Sequence, residues 1–331
     1  MQSLGERANP CGVKMKAIET NGLTKVYGDL VAVDHVSLQV DEGEVFGLLG
    51  ANGAGKTSIM MMLATALNPT AGSALVAGHD IVKERDRVRE SIAMVFQELS
   101  LDVYLTGREN LDFHARLHRL PGESRDERIA EALDLVDLGE KGDVLVKFYS
   151  GDMQRRLEIA RVMLTRPRLL FLDEPTLGLD VQTRRLLWDY AKRLNRESGT
   201  TMLLNTHYVE EADYLCGRVA MLDGGRIVAT GSPQSLKATV GNSLLSVKAS
   251  NEASAAGLAE LLAGMDWVEG IDRHDSQLQV RMGGERARIP EVVRLARTHG
   301  FAISSVGEHR PSLEDVFLHY AGRGLEGEEG V

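Results

Sequence analysis

With 331 residues the chain exceeds the size at which a single hydrophobic core usually suffices, so two domains are expected. A net charge of -10 with no Lys/Arg block argues against a binder of the nucleic-acid backbone, and no apolar run approaches the roughly 18 residues a membrane-spanning helix needs. Cys11 and Cys216 stand far apart, so neither a disulfide framework nor a zinc site is suggested, in keeping with a reducing cytosol.

Residues 1–14 carry no apolar segment of the secretory-signal kind and are read as a loose extension, with order beginning near Met15. From Lys16 to about Gly231, short aliphatic runs alternate with longer helical periodicities, the pattern of an α/β domain over 15–235. Strands are predicted at Val45–Leu49, Leu169–Leu172 and Met202–Asn205, near-continuous apolar runs that suit central strands covered on both faces. A hairpin follows, Arg218–Leu222 and Arg226–Thr230 about Gly224-Gly225. Residues 240–321 then read as a small α+β domain: strand Leu244–Ala249, helix Ala253–Leu262, strands Trp267–Ile271 and Leu278–Met282, helix Pro290–Thr298, strand Phe301–Val306. That β-α-β-β-α-β order is ferredoxin-like. Pro311-Ser312-x-x-Asp315 supplies a helix start, and Leu313, Val316, Phe317 and Tyr320 give that last helix one apolar face. The polar, glycine-rich tail 322–331 has nothing to pack.

The strongest chemical signal is Gly50-Ala51-Asn52-Gly53-Ala54-Gly55-Lys56-Thr57, followed by Ser58. It fits G-x-x-x-x-G-K-[ST] between an apolar strand and a helix predicted over Ser58–Leu67. Glycines let backbone N–H groups close around phosphate oxygens, Lys56 reaches the β- and γ-phosphates, and the Thr57 hydroxyl can ligate Mg²⁺. A chance glycine-rich turn explains the match poorly, because Leu169-Leu170-Phe171-Leu172-Asp173-Glu174 supplies the second half of such a site. There Asp173 would hold Mg²⁺ through water and Glu174 could polarise the attacking water.

With Ser150-Gly151 ahead of Asp173, the chain resembles the ATP-binding cassette (ABC) ATPases over nearly all of Lys16 to Gly231. The resemblance implies a P-loop NTPase with a RecA-like core, an antiparallel β subdomain and a helical subdomain. It further implies that Tyr27 stacks on adenine, that Gln97 touches Mg²⁺ and senses a membrane partner, and that Leu177-Gly178-Leu179-Asp180 communicates across a dimer. Asp180 thereby joins the nucleotide site, and His207 contacts the γ-phosphate. Singly, Tyr27 reads as a packed aromatic, Gln97 as a loop amide and His207 as a core imidazole; their shared order favours the functional reading. The wording T-H-Y-V-E-E-A-D and the ending P-S-L-E-D-V-F-L look like the daunorubicin-resistance type of exporter ATPase. Such subunits work at the cytoplasmic face of the membrane with a separate ABC-2 class permease, as homodimers or heterodimers, and export drugs, antibiotics or lipid-like compounds. The alternative is a soluble ABC-type ATPase, or a weakly hydrolysing ATP-dependent regulator, with no transporter.

One residue departs from that family's Leu-Ser-Gly-Gly-Gln, which here reads Tyr149-Ser150-Gly151-Asp152-Met153. In the family Ser150 and Gly151 would donate to the γ-phosphate held by a second chain. A carboxylate about 4 Å from a phosphate oxygen meets a repulsion of roughly 4 kcal/mol per unit charge at an effective dielectric near 20. Asp152 is therefore expected to leave ATP binding intact while weakening homodimer closure and slowing hydrolysis, or to call for a heterodimeric partner with the better signature. The repulsion loses if the side chain turns outward to Arg156 or if the site is hydrated or cation-bridged. The loop Leu99, Leu101, Val103, Leu105 is expected either to form a docking edge for the membrane partner or to pack in the core.

Overall fold

The computed structural model describes residues 15–95, 100–241, 243–282 and 288–321. These fall into two compact units, one of residues 15–46 and 57–205 and the other of 47–56 and 206–321. Strands β1 (Lys16–Tyr27), β2 (Leu30–Val36) and β3 (Gln39–Asp41) open the first unit. Within β4 (Val45–Gly50) the chain enters the second unit, and within α1 (Lys56–Leu63) it returns. β5 (Ala71–Val76) and β6 (His79–Asp80) complete an antiparallel sheet of order β2-β1-β5-β6, with β3 also on β1. Helix α1 ends earlier than predicted from the apolar run, because Thr65 turns the chain through a φ of +62°.

Next come α2 (Arg85–Ser91), β7 (Ile92–Val95), α3 (Gly107–Leu117), α4 (Gly122–Leu135), α5 (Gly151–Met163), β8 (Leu169–Asp173), α6 (Val181–Ser198) and β9 (Thr201–Thr206). β7, β8 and β9 run parallel, with Ile92 opposite Leu169 and Leu169 opposite Thr201. Every residue of β8 and β9 is buried, which is why their sequences are apolar runs rather than alternations. Burial of a side chain such as Phe171 contributes about 1.5–3 kcal/mol, enough to fix the strand ends that carry Asp173 and Asn205. A separate apolar cluster of Leu111, Leu133, Val136, Val146, Tyr149 and Leu157 holds α3, α4 and α5 together. Leu101 packs against it and so belongs to this core rather than to a docking edge; Leu99 lies outside the described residues.

In the second unit α7 (Val209–Leu215) leads to β10 (Arg218–Asp223) and β11 (Arg226–Gly231), a hairpin whose turn residues Gly224 and Gly225 take φ of +53° and +80°. Positive φ at both positions matches the twist of the flanking strands. After α8 (Pro233–Thr239) come β12 (Leu244–Ala249), α9 (Glu252–Ala263), β13 (Val268–His274), β14 (Gln277–Met282), α10 (Ile289–Thr298), β15 (Ile303–His309) and α11 (Leu313–Ala321). The last four strands form an antiparallel sheet of order β13-β14-β12-β15, so the ferredoxin-like reading stands. Leu245, Val247 and Val280 of the sheet pack with Leu258 and Leu262 of α9 and Val292 of α10. Trp267 and Phe301, predicted as strand residues, precede their strands and fill this core instead; Phe301 fits because Gly257 has no Cβ to meet its ring. Ser312 and Asp315 cap α11 reciprocally, the Ser312 hydroxyl accepting from the Asp315 N–H and the Asp315 carboxylate from the Ser312 N–H. Leu313, Val316 and Phe317 are buried as predicted, whereas Tyr320 is 41% exposed and leaves the apolar face.

Candidate functional site

The glycine-rich loop lies in the second unit. Gly50 closes β4 where an added Cβ would stand 2.4 Å from the Leu222 carbonyl oxygen, so only glycine fits there. Gly53 and Gly55 take φ of +80° and +95°, conformations that let successive N–H groups turn into one concavity. Lys56 is buried, and its ammonium donates to the carbonyls of Gly50 (2.6 Å) and Ala51 (3.0 Å). A cation held over a loop of this shape fits a polyphosphate. His207, in the same unit, sits with its ring 4.1 Å from that of Tyr208, whose N–H is fixed by the Thr206 hydroxyl.

The first unit holds a cluster of oxygen donors. Asn205, buried at the end of β9, donates from Nδ2 to both the Asp173 carboxylate and the Thr57 hydroxyl, the latter at 3.2 Å. One amide thus gathers a hydroxyl and a carboxylate, hard oxygen donors of the kind Mg²⁺ takes. Glu174 follows, buried, with its N–H on the Asn205 carbonyl at 3.0 Å. Its φ of +47° is a left-handed conformation that costs a non-glycine residue about 1–3 kcal/mol and persists only where neighbours enforce it. Arg155 of α5 donates to the Glu174 and Pro175 carbonyls.

Ser150 caps α5 by accepting from the Met153 N–H at 3.2 Å, which leaves its own hydrogen available, and Gly151 is exposed with open space beside it. Asp152 turns along the helix to Arg156, Oδ2 to Nη2 2.9 Å, while Arg156 Nη1 donates to the Val136 carbonyl. Tyr27, at the end of β1, is 46% exposed, with the Lys25 ammonium 5.1 Å from its ring centre. Asp180 caps α6, accepting from the N–H groups of Gln182 and Thr183 and from the Thr183 hydroxyl; those bonds hold its carboxyl below the usual carboxylate range, the Thr183 N–H first. Gln97 lies outside the described residues. Sequence reasoning missed Asn205 and Arg155. The signal for Asn205 was a polar amide ending an apolar strand next to T-H; Arg155 stood in a run of basic residues with nothing to mark it.

Known proteins resemble this chain in sequence and fold. The family description "ABC transporter" matches residues 33–177, and "ATP-binding protein DrrA1-3-like, C-terminal domain" matches 231–321. The chain is 42% identical over 308 residues to the daunorubicin/doxorubicin resistance ATP-binding protein DrrA of Streptomyces peucetius, covering 93% of each. The chain belongs to the ABC transporter ATP-binding proteins. Solved ABC cassettes agree in fold. The cbiO1 protein of Clostridium perfringens, part of the cbiONQ transporter complex, is 27% identical with a TM-score of 0.63 over 67% of this chain and 90% of that one. A dimeric ATP-binding cassette in a post-hydrolysis state with ADP and Pi is 27% identical, with a TM-score of 0.58 over 65% of this chain and 98% of that one. Membership of the family implies ATP binding, and the C-terminal ferredoxin-like domain is the one found in DrrA-like proteins.

Proposed function

We propose that this chain is the ATP-hydrolysing subunit of an exporter, acting as a dimer at the cytoplasmic face of the membrane with a separate ABC-2 type permease. The cargo is a drug, antibiotic or lipid-like compound, as in the relatives named for daunorubicin and doxorubicin resistance. The observation that carries the reading is the Thr57–Asn205–Asp173 hydrogen-bond chain with Glu174 buried beside it. Lys56 and the backbone of Gly50 to Ser58 bind the phosphates, and Tyr27 offers its exposed ring to adenine. Thr57 and Asp173 would hold Mg²⁺, with Gln97 assigned there by resemblance. When bound, the metal would neutralise charge on the phosphoryl oxygens. Glu174 accepts the proton of the attacking water or orients it, and His207 donates to the γ-phosphate. Ser150 and Gly151 act on the nucleotide of a second chain from the start of α5.

Asp152 bears on speed. Its Oδ2 partner at 2.9 Å offsets most of the repulsion that a free carboxylate would exert on ATP. We therefore infer that the slowing expected from the altered signature is small, and that Asp152→Gly leaves kcat within about threefold of wild type.

For the membrane partner, Val103, Tyr104 and Phe148 form an exposed apolar edge, 39%, 77% and 70% open, aligned by the Lys147 N–H on the Val103 carbonyl and the Val146 N–H on the Leu105 carbonyl. Co-expression with the polytopic membrane protein of an adjacent reading frame tests the whole reading. Copurification and drug efflux are expected, both lost in Tyr104→Arg/Phe148→Arg with basal ATPase unchanged. Efflux that survives without ATP turnover would contradict it.

A further inference from the structure

We propose that Arg155 is a positioning residue for hydrolysis, holding the peptide of Glu174 in the conformation that aims its carboxylate. The inference rests on Glu174 being the group that activates water. Arg155 is buried within α5, and its Nε donates to the Pro175 carbonyl at 2.6 Å and its Nη2 to the Glu174 carbonyl at 3.3 Å. The Glu174 carbonyl also accepts from the Leu177 N–H at 3.2 Å, and the Glu174 N–H donates to the Asn205 carbonyl. The backbone of Glu174 is thus held on both sides: its N–H by β9, and its carbonyl by its own turn and by α5.

A purely structural arginine satisfies whichever carbonyls lie near it. This one donates to the residue whose left-handed φ of +47° needs enforcement, and to the proline after it, which has no N–H of its own to anchor the turn. Without the guanidinium, the 174–175 peptide is free to relax toward ordinary backbone angles, and the carboxylate swings with it. Displacement of a reacting group by about 1 Å costs on the order of 100-fold in rate. The same helix begins with Ser150 and Gly151, five and four residues before Arg155. The segment that meets a second chain's nucleotide and the support of this chain's own base therefore move as one body, and a shift of α5 on dimer closure reaches Glu174 directly.

The test compares full-length wild type, Arg155→Ala, Arg155→Lys, Glu174→Gln and the Arg155→Ala/Glu174→Gln double variant. It reads steady-state kcat and KM, binding of a fluorescent ATP analogue, and the single-turnover rate. Arg155→Ala is expected to lower kcat by roughly 10- to 100-fold, with KM and analogue Kd within about twofold of wild type. Arg155→Lys, which keeps one donor, is expected to recover part of the loss. In the Glu174→Gln background, Arg155→Ala is expected to produce no further fall in the single-turnover rate, because the two residues act through one carboxylate. A kcat within twofold of wild type, a loss of nucleotide affinity that matches the loss of rate, or multiplicative effects in the double variant each overturn the proposal. If Arg155→Ala does not fold, Arg155→Lys decides: a lowered kcat at unchanged analogue affinity supports the role, and an unchanged kcat overturns it. Wild-type turnover by Glu174→Gln is a separate outcome that removes the base assignment itself.

Discussion

Asp152 and Arg156 form an ion pair one turn apart at the start of α5, Oδ2 to Nη2 2.9 Å, with both side chains mostly buried. The arginine is also fixed by the Val136 carbonyl, so the carboxylate is drawn along the helix and away from the exposed Ser150-Gly151 edge. Local physics favours the arrangement, since an anion in the first turn gains about 0.3–1 kcal/mol from the helix dipole and an i,i+4 pair a few tenths more. The pair predicts a rescue. Arg156→Ala frees the carboxylate to face ATP and lowers steady-state ATPase several-fold, while Arg156→Ala/Asp152→Gly restores it. A double variant as slow as Arg156→Ala would show that Arg156 acts on folding rather than on Asp152.

Asn205 predicts a metal phenotype. Its Nδ2 orients both Asp173 and Thr57, and loss of a group that orients metal ligands typically weakens metal affinity by about 10- to 100-fold. Asn205→Ala should raise the Mg²⁺ concentration for half-maximal ATPase by at least about tenfold while retaining metal-free ATP-analogue binding. An unchanged Mg²⁺ dependence would remove Asn205 from the site.

His114 predicts a pH dependence of stability in the helical cluster. Burial first, then the Arg161 guanidinium 3.2 Å away and His118, push its pKa down to about 3 from an ordinary 6.5. Arg161 is itself held by Glu158. The unfolded chain takes up a proton below about pH 6.5 and the folded chain does not until about pH 3. Stability from this group is therefore complete above pH 6.5 and declines as pH falls through that window. Discounted for the ring's partial exposure, the loss at pH 5 is about 1 kcal/mol. Urea midpoints at pH 7 and 5 should differ less for His114→Leu than for wild type.

Much of the fold was legible because the chain states it locally. Gly50 to Thr57 encode a loop whose glycines meet a carbonyl or take positive φ, and the apolar runs of β8 and β9 encode full burial. The ferredoxin-like domain followed from strand and helix order alone. What escaped was set by tertiary packing. Trp267 and Phe301 have strand-forming character yet fill a core before their strands begin, and Tyr320 completes an apolar spacing while facing outward. The direction of Asp152 could not be read from sequence, because it depends on its ion pair with Arg156, whose guanidinium is fixed by donating to the Val136 carbonyl. Arg155 and Asn205 act through hydrogen bonds to residues distant in sequence, which no spacing rule reveals.

We propose that this chain hydrolyses Mg-ATP with Glu174 as the group that activates water. Steady-state phosphate release by purified wild type and Glu174→Gln, measured alongside ATP-dependent dimerisation by size exclusion, tests it most directly. Wild type is expected to turn over, and Glu174→Gln to bind ATP and accumulate as a dimer with turnover reduced at least about 100-fold. Turnover by Glu174→Gln equal to wild type would contradict it.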